Sequence, residues 1–312
     1  MIALGLAGLL LIGASATTAP VAGEPADAGP GNATEHHVDI TSDEMTIVPG
    51  SHQAIAVGHV HAVGTTFVAD CDHGEATYGE SNGKHRSIEQ MVMHDHVHMR
   101  RFSDGAIGES ELATYTAATK IVVMTGNPVL TRGLNVLHGD VITMSLDDNW
   151  MEATQPKADM VRPTRPEPIH IRAEHMTAVD GGKHLHFDHN VHLTKGNMTA
   201  RSDRLEAEVD DVNSDEGSKV SEMVLVGHVV SHRGNQESTS GRAVYNGDTG
   251  DVTLLDHPVV TEDGTVTTGD VIVVDGATGH AHARGHPEVV MTDDSGRDAG
   301  PSPRKTSAGS HP

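Results

Sequence analysis

The sequence predicts an all-β protein in which short strands stack as successive rungs. Apolar runs such as "KIVVMTG" and "SEMVLVG" alternate with glycine-containing turns, and no stretch keeps the 3.6-residue apolar period of a capped helix. Aromatic residues make up only 2% of the chain and hydrophobic residues 36%. The interior must therefore consist of Val, Ile, Leu, Met and Ala, which suits thin β-layers better than a thick globular centre.

A duplication divides the chain into two similar halves. At one constant offset Ile40 aligns with Ile171, and "AVGHVH" aligns with "FDHNVH". We therefore predict two domains of the same kind, residues 38–156 and residues 169–291. The proline-punctuated segment 157–168 between them is expected to be a linker or an inter-domain corner.

A three-residue marker recurs about every 30 residues within each half. It consists of a small or turn-forming residue, then Asn, His or Gln, then Val or Pro. The eight middle residues are His59, His96, Asn127, Gln155, Asn190, His228, His257 and His286. Asn and His are among the non-glycine residues that best tolerate a left-handed backbone, so we predict a backbone corner with positive φ at this position.

Both ends of the chain have compositions typical of segments outside a folded core. Residues 1–16 form an apolar run that ends in Ala14-Ser15-Ala16, as the core and cleavage site of a signal peptide would, although no Lys or Arg occurs before Lys84. We predict a signal peptide over 1–16, a disordered lead over 17–37 and a disordered tail over 292–312. The expected location is the periplasm; a retained apolar anchor is the alternative.

Charge and motif content exclude several classes of function. The formal net charge is −23 with only 21 Lys and Arg, which argues against nucleic acid as a partner. The chain has no G-x-S-x-G, no H-E-x-x-H and no glycine-rich phosphate motif. Cys71 is expected to be a small strand residue rather than a nucleophile. We predict a protein that is not an enzyme and has no cofactor.

The 24 histidines leave a metal-binding interpretation open. Residues two apart on a strand share a face, and three imidazoles, or two with a carboxylate, are competent ligands for zinc or copper. The candidate ligands are His94, His96 and His98 in one stretch, and His184, His186 and His192 in another. A His-rich periplasmic metal-binding β-protein is therefore the alternative function.

Residues 116–153 resemble the periplasmic bridge proteins of lipopolysaccharide transport, the LptA or OstA-like family. That family's pattern is an apolar strand, T-G-N-V or a close variant, a short turn, and a G-D or A-D pair opening the next strand. "TGNP" and the later pair Gly139-Asp140 match this pattern, and "DITSDEMTI" followed by "AVGHVHAVGTTFVAD" resembles the family's opening unit. The resemblance covers one family domain in 38–156 and a second, more diverged one in 169–291.

The resemblance implies both a fold and a function. Family members form an open, twisted β-jelly roll whose two sheets make a trough for acyl chains, and they join end to end through terminal strands. By motif match, Val38, Ile40, Ile169 and Ile171 stand where the family's first strand contacts lipid. The chain would bind lipopolysaccharide and shield its lipid A acyl chains between the inner and outer membrane. It would pair head to tail with the membrane components of that transport, or with copies of itself. A membrane-tethered, LptC-like partner of the bridge is a variant of this interpretation.

Overall fold

The computed structural model describes residues 38–48, 50–81, 85–162, 165–210 and 219–291. The segments 1–16, 17–37 and 292–312, for which we predicted a signal peptide, a lead and a tail, lie outside these ranges. The described residues form 24 strands and one short 3-10 turn, Asp180–Gly182, without an α-helix. The all-β prediction is thereby confirmed. In the same part of the chain, no helix is long and apolar enough to cross a membrane.

The strands fall into two sets of twelve, one for each half of the duplication. The first set comprises β1 (Val38–Thr41), β2 (Glu44–Val48), β3 (Gln53–Gly64), β4 (Phe67–Ser81), β5 (His85–Arg101), β6 (Ile107–Thr116), β7 (Ile121–Thr125), β8 (Val129–Arg132), β9 (Asn135–His138), β10 (Val141–Ser145), β11 (Met151–Thr154) and β12 (Lys157–Arg162). The second set comprises β13 (Arg165–Arg172), β14 (His175–Val179), β15 (His184–Lys195), β16 (Met198–Asp210), β17 (Lys219–Arg233), β18 (Gln236–Asn246), β19 (Val252–Leu255), β20 (Val259–Glu262), β21 (Thr265–Thr268), β22 (Val271–Val274), β23 (Ala281–Arg284) and β24 (Glu288–Met291).

All the pairings are antiparallel and divide the stack into two half-sheets. The N-terminal half of the long strand β3 pairs with β2, and its C-terminal half pairs with β1. The same division recurs where β6 pairs with both β7 and β8, and where β18 pairs with both β19 and β20. Half-sheet A therefore contains β2, β7, β10, β11, β14, β19, β22 and β23, and half-sheet B contains β1, β8, β9, β12, β13, β20, β21 and β24. The long strands β3 to β6 and β15 to β18 run through both.

The eight marker residues lie on the line where the two half-sheets meet, which we call the bend line. All eight have a left-handed backbone, with φ from 44° at His59 to 61° at His257, so the predicted corner is confirmed. Within the long strands the register shifts at each corner: Asp95 and His96, for example, lie opposite the single residue Glu111. Two residues against one make a β-bulge, which bends the strand and directs its two halves into different half-sheets.

The inner faces of the half-sheets form an aliphatic core. The Val that follows a corner is almost completely buried, as at Val60 and Val97. In "IVVM", Val122 and Met124 are fully buried while Ile121 and Val123 are half-buried, which identifies the inward parity of this strand. This parity could not be assigned from the sequence, because both faces of the strand are apolar.

The structure corrects the boundary between the two copies. Within the segment 157–168, expected to be a linker, residues 157–162 instead form β12 and residues 165–168 the start of β13, and the two strands pair with Ala158 opposite Ile171. On its other side β12 pairs with β9, and β11 pairs with β14, so the strands continue from one copy into the next. Alternating burial of the apolar residues on both strands outweighs the loop-forming tendency of the prolines. The described strands lie in one compact unit, and the division into two domains stays a prediction.

A substitution at a corner should separate backbone strain from side-chain loss. We expect His228→Val to lower the free energy of unfolding by about 1–2 kcal/mol more than His228→Gly, because a β-branched residue resists positive φ and glycine does not. Urea denaturation followed by circular dichroism measures the difference. His232→Val, on the same strand outside the corner, is the control and should have little effect. Equal destabilisation by the two His228 variants would contradict a conformational role.

Candidate functional site

The candidate site is the space between the two half-sheets, where the described residues line cavities at successive levels of the stack. The first lies at the N-terminal end, has a volume of about 140 Å³, and is lined by Val38, Ile40 and Met45 among other apolar residues. Val38 and Ile40 are half-buried there. Two of the four residues predicted to contact lipid therefore line an apolar cavity, although contact with lipid itself stays a prediction.

The second cavity lies where the two copies meet and has a volume of about 80 Å³. Both copies contribute to its lining, for example Leu137 and Met160 from the first and Met176 and Leu185 from the second. Ile171 is fully buried in the core next to this joint, and Ile169 nearly so. The other two residues predicted to contact lipid are thus enclosed by packing where the copies join.

The third cavity lies inside the second copy and is small, with a volume of about 20 Å³. Its lining includes Leu193, Met198, Met223 and Leu225, with Ser231 and Tyr245 as polar members. The linings of all three cavities are mainly aliphatic, with few polar groups that could orient a reacting group.

Opposite the bend line, the hairpin turns of the two half-sheets approach each other along a rim that we call the mouth. In the first copy Phe67 of half-sheet B packs on Tyr115 of half-sheet A, with ring centroids 4.9 Å apart. The Nη1 group of Arg101 donates a hydrogen bond of 3.1 Å to the backbone oxygen of Ser145 across the mouth. These contacts hold the two half-sheets together on the side away from the bend line.

Arg101 is buried, and its charge is balanced by Asp104. Its Nε and Nη2 groups donate to the two carboxylate oxygens of Asp104 at 2.9 and 2.6 Å. Burial raises the pKa of the Asp104 carboxyl, but the hydrogen bonds and positive charge of Arg101 outweigh this effect and hold the pKa below its ordinary value. Arg132 lies 3.3 Å from the same carboxylate and also donates to the backbone oxygen of Gly181.

Both ends of the stack present strand edges and exposed apolar side chains. Among the described residues, β1 and β2 pair only with β3, while β23 pairs only with β22 and β24 only with β21. Met45 and Ile47 are about half exposed at the first end, and Val289, Val290 and Met291 are exposed at the second. Unpaired edges with apolar side chains are suited to pairing with another chain.

The histidines lie mainly on the outer surface, and several pair with acids along the bend line. The Nδ1 atoms of His59, His96 and His228 lie 2.7–2.8 Å from carboxylate oxygens of Asp43, Asp72 and Asp203, one partner each. Asn190 donates to Glu174 in the same way, and His286 lies 3.2 Å from Asp270. The sequence analysis did not identify these acids, although Asp72 and Asp203 occupy equivalent positions in the two copies. The bend line is therefore a row of corners, most of which pair with an acid on a neighbouring strand.

The candidate metal ligands all lie on the outer face, and the structure does not gather either trio into one site. His96 is paired with Asp72, and His94 stacks on His73 with ring centroids 5.4 Å apart. His184 lies 3.5 Å from Asp180. The remaining candidates, His98, His186 and His192, are on the same outer face. Across the described ranges, no group of three or more His, Cys, Asp or Glu side chains is arranged to hold a metal ion. The metal interpretation gains no support from this geometry.

Cys71 is buried in the core, and its chemistry fits the structural role expected from the sequence. Burial raises the pKa of the thiol to about 11. Because the thiolate is the nucleophilic form, Cys71 is almost entirely unreactive near neutral pH.

Comparison with known proteins agrees with the geometry. A family model described as "LptA/(LptD N-terminal domain) LPS transport protein" matches residues 39–150 and again residues 170–280. No curated protein matches the chain. Among solved structures, LptH of Pseudomonas aeruginosa matches; it is described as the LptA homologous periplasmic component of the conserved lipopolysaccharide transport device. That match has a TM-score of 0.37 and 16% identity, and it covers 41% of this chain and 98% of LptH.

The corner pairs predict a pH dependence that can be measured residue by residue. A hydrogen bond to Asp72, and the charge of Asp72, raise the pKa of His96 above 6.5; Asp43 does the same for the pKa of His59. Asp72→Asn should therefore lower the pKa of His96 toward 6.5, whereas Asp43→Asn should lower that of His59 and leave His96 unchanged. NMR titration of the ring C–H resonances measures both values.

The sign of the effect on stability follows from the same shifts. Because these pKa values are higher in the folded protein, the stabilisation is fully present below about pH 6.5 and is lost as the pH rises through each folded-state pKa. A His96 pKa that is unchanged in Asp72→Asn would show that the pair does not form in solution.

Proposed function

Since the chain belongs to the LptA/LptD N-terminal family of lipopolysaccharide transport proteins, we propose that it is a periplasmic carrier that binds lipopolysaccharide between the two membranes. Proteins of this family transport or bind lipopolysaccharide and are not enzymes, and neither is this chain. The carrier would enclose the lipid A acyl chains in the trough and leave the sugar head group in solvent.

The observation that carries this proposal is the aliphatic interior that continues from one copy into the other. Each methylene group that leaves water contributes about 0.8 kcal/mol, so an aliphatic trough binds acyl chains without any specific polar contact. The three cavities are lined mainly by Val, Leu, Ile, Met and Ala. Long, flexible Met side chains such as Met91 and Met223 can adapt to chains of different packing.

A comparison of the two copies supports docking at the N-terminal end. Ile169 and Ile171, on the first strand of the second copy, are buried because β12 of the first copy covers that strand. Val38 and Ile40 occupy the equivalent positions in the first copy but remain half-exposed beside an open cavity. A partner that paired with β1 and β2 would enclose these residues in the same way.

The internal joint also supports the kind of partner that we propose. At this joint the terminal strands β11 and β12 of one copy pair with the initial strands β14 and β13 of the next. The free ends carry the equivalent strands, β23 and β24 at one end and β2 and β1 at the other. Head-to-tail pairing of these unlike ends would extend the trough, either into another copy of the chain or into membrane components with similar strands.

Photo-crosslinking tests whether the trough carries lipid. We expect a photoreactive residue at Ile40 to form an adduct with lipopolysaccharide, and one at Thr41 to form little, because neighbouring residues of β1 face opposite sides. Ile40 suits the probe better than the fully buried Ile171. The adduct should persist in the presence of a chelator. Equal labelling at Ile40 and Thr41, or adducts that a chelator abolishes, would contradict the carrier.

If the chains pair head to tail, a single charged residue introduced on an edge strand should weaken their assembly. We expect the weight-average mass of the protein to rise with concentration, and Val289→Lys to weaken this association at least tenfold, because charged residues on an edge strand block pairing. Sedimentation equilibrium measures the effect. Leu134→Lys is the matched control, since Leu134 is an exposed apolar residue in a hairpin turn between β8 and β9. Association that is equally strong in Val289→Lys would exclude this edge from the contact.

A further inference from the structure

The mouth of the second copy differs from that of the first in its charge. On β15 and β17, burial alternates so that Val191, Leu193 and Lys195, and likewise Val229, Ser231 and Arg233, point to the same side as the core. Lys195 and Arg233 are therefore the last inward-facing residues before the turns that form the mouth. Both are half-buried.

The two cations lie close together in the sheet. In the strand pairing, Lys195 is opposite Met198, and Met198 is opposite Arg233. Two strand spacings therefore place the Cα atoms of Lys195 and Arg233 roughly 10 Å apart. Met198 between them lines the third cavity, as do Ser231 and Tyr245. A pair of positive charges thus stands at the rim of an apolar cavity.

Neither cation has a carboxylate partner among the described residues. The Lys195 ammonium contacts the Tyr245 hydroxyl and lies 4.6 Å from the centre of its ring. The Nη1 and Nη2 groups of Arg233 donate to the backbone oxygens of Asp275 and Gly276 at 3.2 and 2.9 Å. The Asp275 carboxylate is engaged in its own turn, where hydrogen bonds from Thr278 lower its pKa. The protein contacts of these two half-buried cations are therefore with neutral groups.

The first copy keeps the same cross-mouth hydrogen bond, but its mouth has no cation that lacks a carboxylate partner. Arg101 is equivalent to Arg233 and reaches the backbone of Ser145, which is equivalent to Asp275. There, however, Asp104 forms a bidentate pair with Arg101, and the turn that carries Asp104 has no counterpart in the shorter turn after Arg233. Gly64 stands where the second copy has Lys195, and Phe67 rather than a cation packs on the equivalent tyrosine. Arg132 also contacts Asp104, so both mouth cations of the first copy have a carboxylate partner, whereas those of the second copy have none among the described residues.

We propose that Lys195 and Arg233 form a binding site for the phosphate group of an amphiphile whose acyl chains enter the aliphatic interior between the half-sheets beneath them. This inference rests on the proposed function and adds to it the position of the head group. An arginine binds phosphate through two parallel hydrogen bonds, and charge-assisted bonds are roughly twice as strong as those between neutral groups. The phosphate would replace the carbonyl oxygens of Asp275 and Gly276 as the partner of Arg233. That exchange also releases the cross-mouth contact and opens the mouth for the head group.

The net charge of the chain explains why such a site is needed. With a formal charge of −23, the protein repels an anionic head group at long range. Half-buried cations at the mouth are screened less by salt than surface charges are. A local pair of positive charges can therefore hold a phosphate where the rest of the surface would not.

The test compares two lipids that differ only in phosphate. Full-length protein is titrated with a fluorescent acyl-chain probe, which is then displaced by lipid A or by lipid A from which the phosphates have been removed. We expect the wild type to bind the phosphorylated form at least tenfold more tightly. In Lys195→Gln/Arg233→Gln this preference should fall to less than about twofold, while binding of the dephosphorylated lipid stays within twofold of the wild type.

Matched variants separate a specific site from general charge and from misfolding. Arg201→Gln/Arg204→Gln removes the same charge from the exposed outer face of β16 and should keep the full preference. Arg233→Lys keeps the positive charge but cannot form two parallel hydrogen bonds to a phosphate, so it should retain part of the preference for phosphorylated lipid A. Lys195→Met preserves an apolar stem against Tyr245 and provides a second variant if the Arg233 substitutions impair folding.

Three results would overturn the inference. The first is a wild type that does not distinguish the two lipids. The second is a double variant that keeps the full preference for phosphorylated lipid A, or an outer-face control that loses as much of this preference as the double variant does. The third is that millimolar inorganic phosphate alone displaces the fluorescent probe as effectively as lipid A does. This result would identify a site for the free ion. Failure of both lipids to displace the probe would instead refute the proposed carrier function itself.

Discussion

The structure depends on one backbone constraint, the left-handed corner that recurs at the same level in alternate layers of the stack. Within the long strands each corner places two residues opposite one and turns the strand from half-sheet A into half-sheet B; the corners that precede a proline connect a strand of half-sheet A to one of half-sheet B. Repetition of this bend at one level divides a single stack of strands into two half-sheets. The constraint also explains the composition, because Gly, Asn, Asp and His are the residues that accept positive φ at the least cost. In the described residues seven histidines have this left-handed backbone, and the imidazoles of His59, His96, His228 and His286 also lie within hydrogen-bond distance of carboxylates.

The features that the sequence predicts correctly are those encoded by local residue preferences. His59, Asn127 and the other marker residues could be placed at corners because positive φ selects residue types directly. The error over 157–168 arose because prolines favour loops in isolation. In the fold, Ala158 lies opposite Ile171 on one side and Leu137 on the other, and Met160 lies opposite Ile169. Tertiary pairing decided that segment, and nothing in its local composition indicates those partners.

Other features escaped prediction because they depend on side-chain parity. On β16 the inward residues are Ala200 and Ser202, then Leu205 and Ala207, so the alternation slips by one residue at Asp203. A strict period of two carried across such a position assigns every later residue to the wrong face. The mouth cations were missed for a related reason, since Lys195 and Arg233 come together only through the register of three strands. The acids of the bend line did leave a signal in the repeat, because they recur at equivalent positions in both copies.

The covalent joint between the copies has a consequence for assembly. Each copy contributes eight layers of strands to the stack. With layers about 4.8 Å apart, the stack of both copies is roughly 70 Å long. Two single-copy proteins would have to associate to reach this length. Their contact at the midpoint would cost translational and rotational entropy. Here the junction of β11 and β12 with β14 and β13 is formed on folding and is independent of protein concentration. A filament built from such chains would contain half as many joints that can dissociate as a filament of the same length built from single-copy proteins.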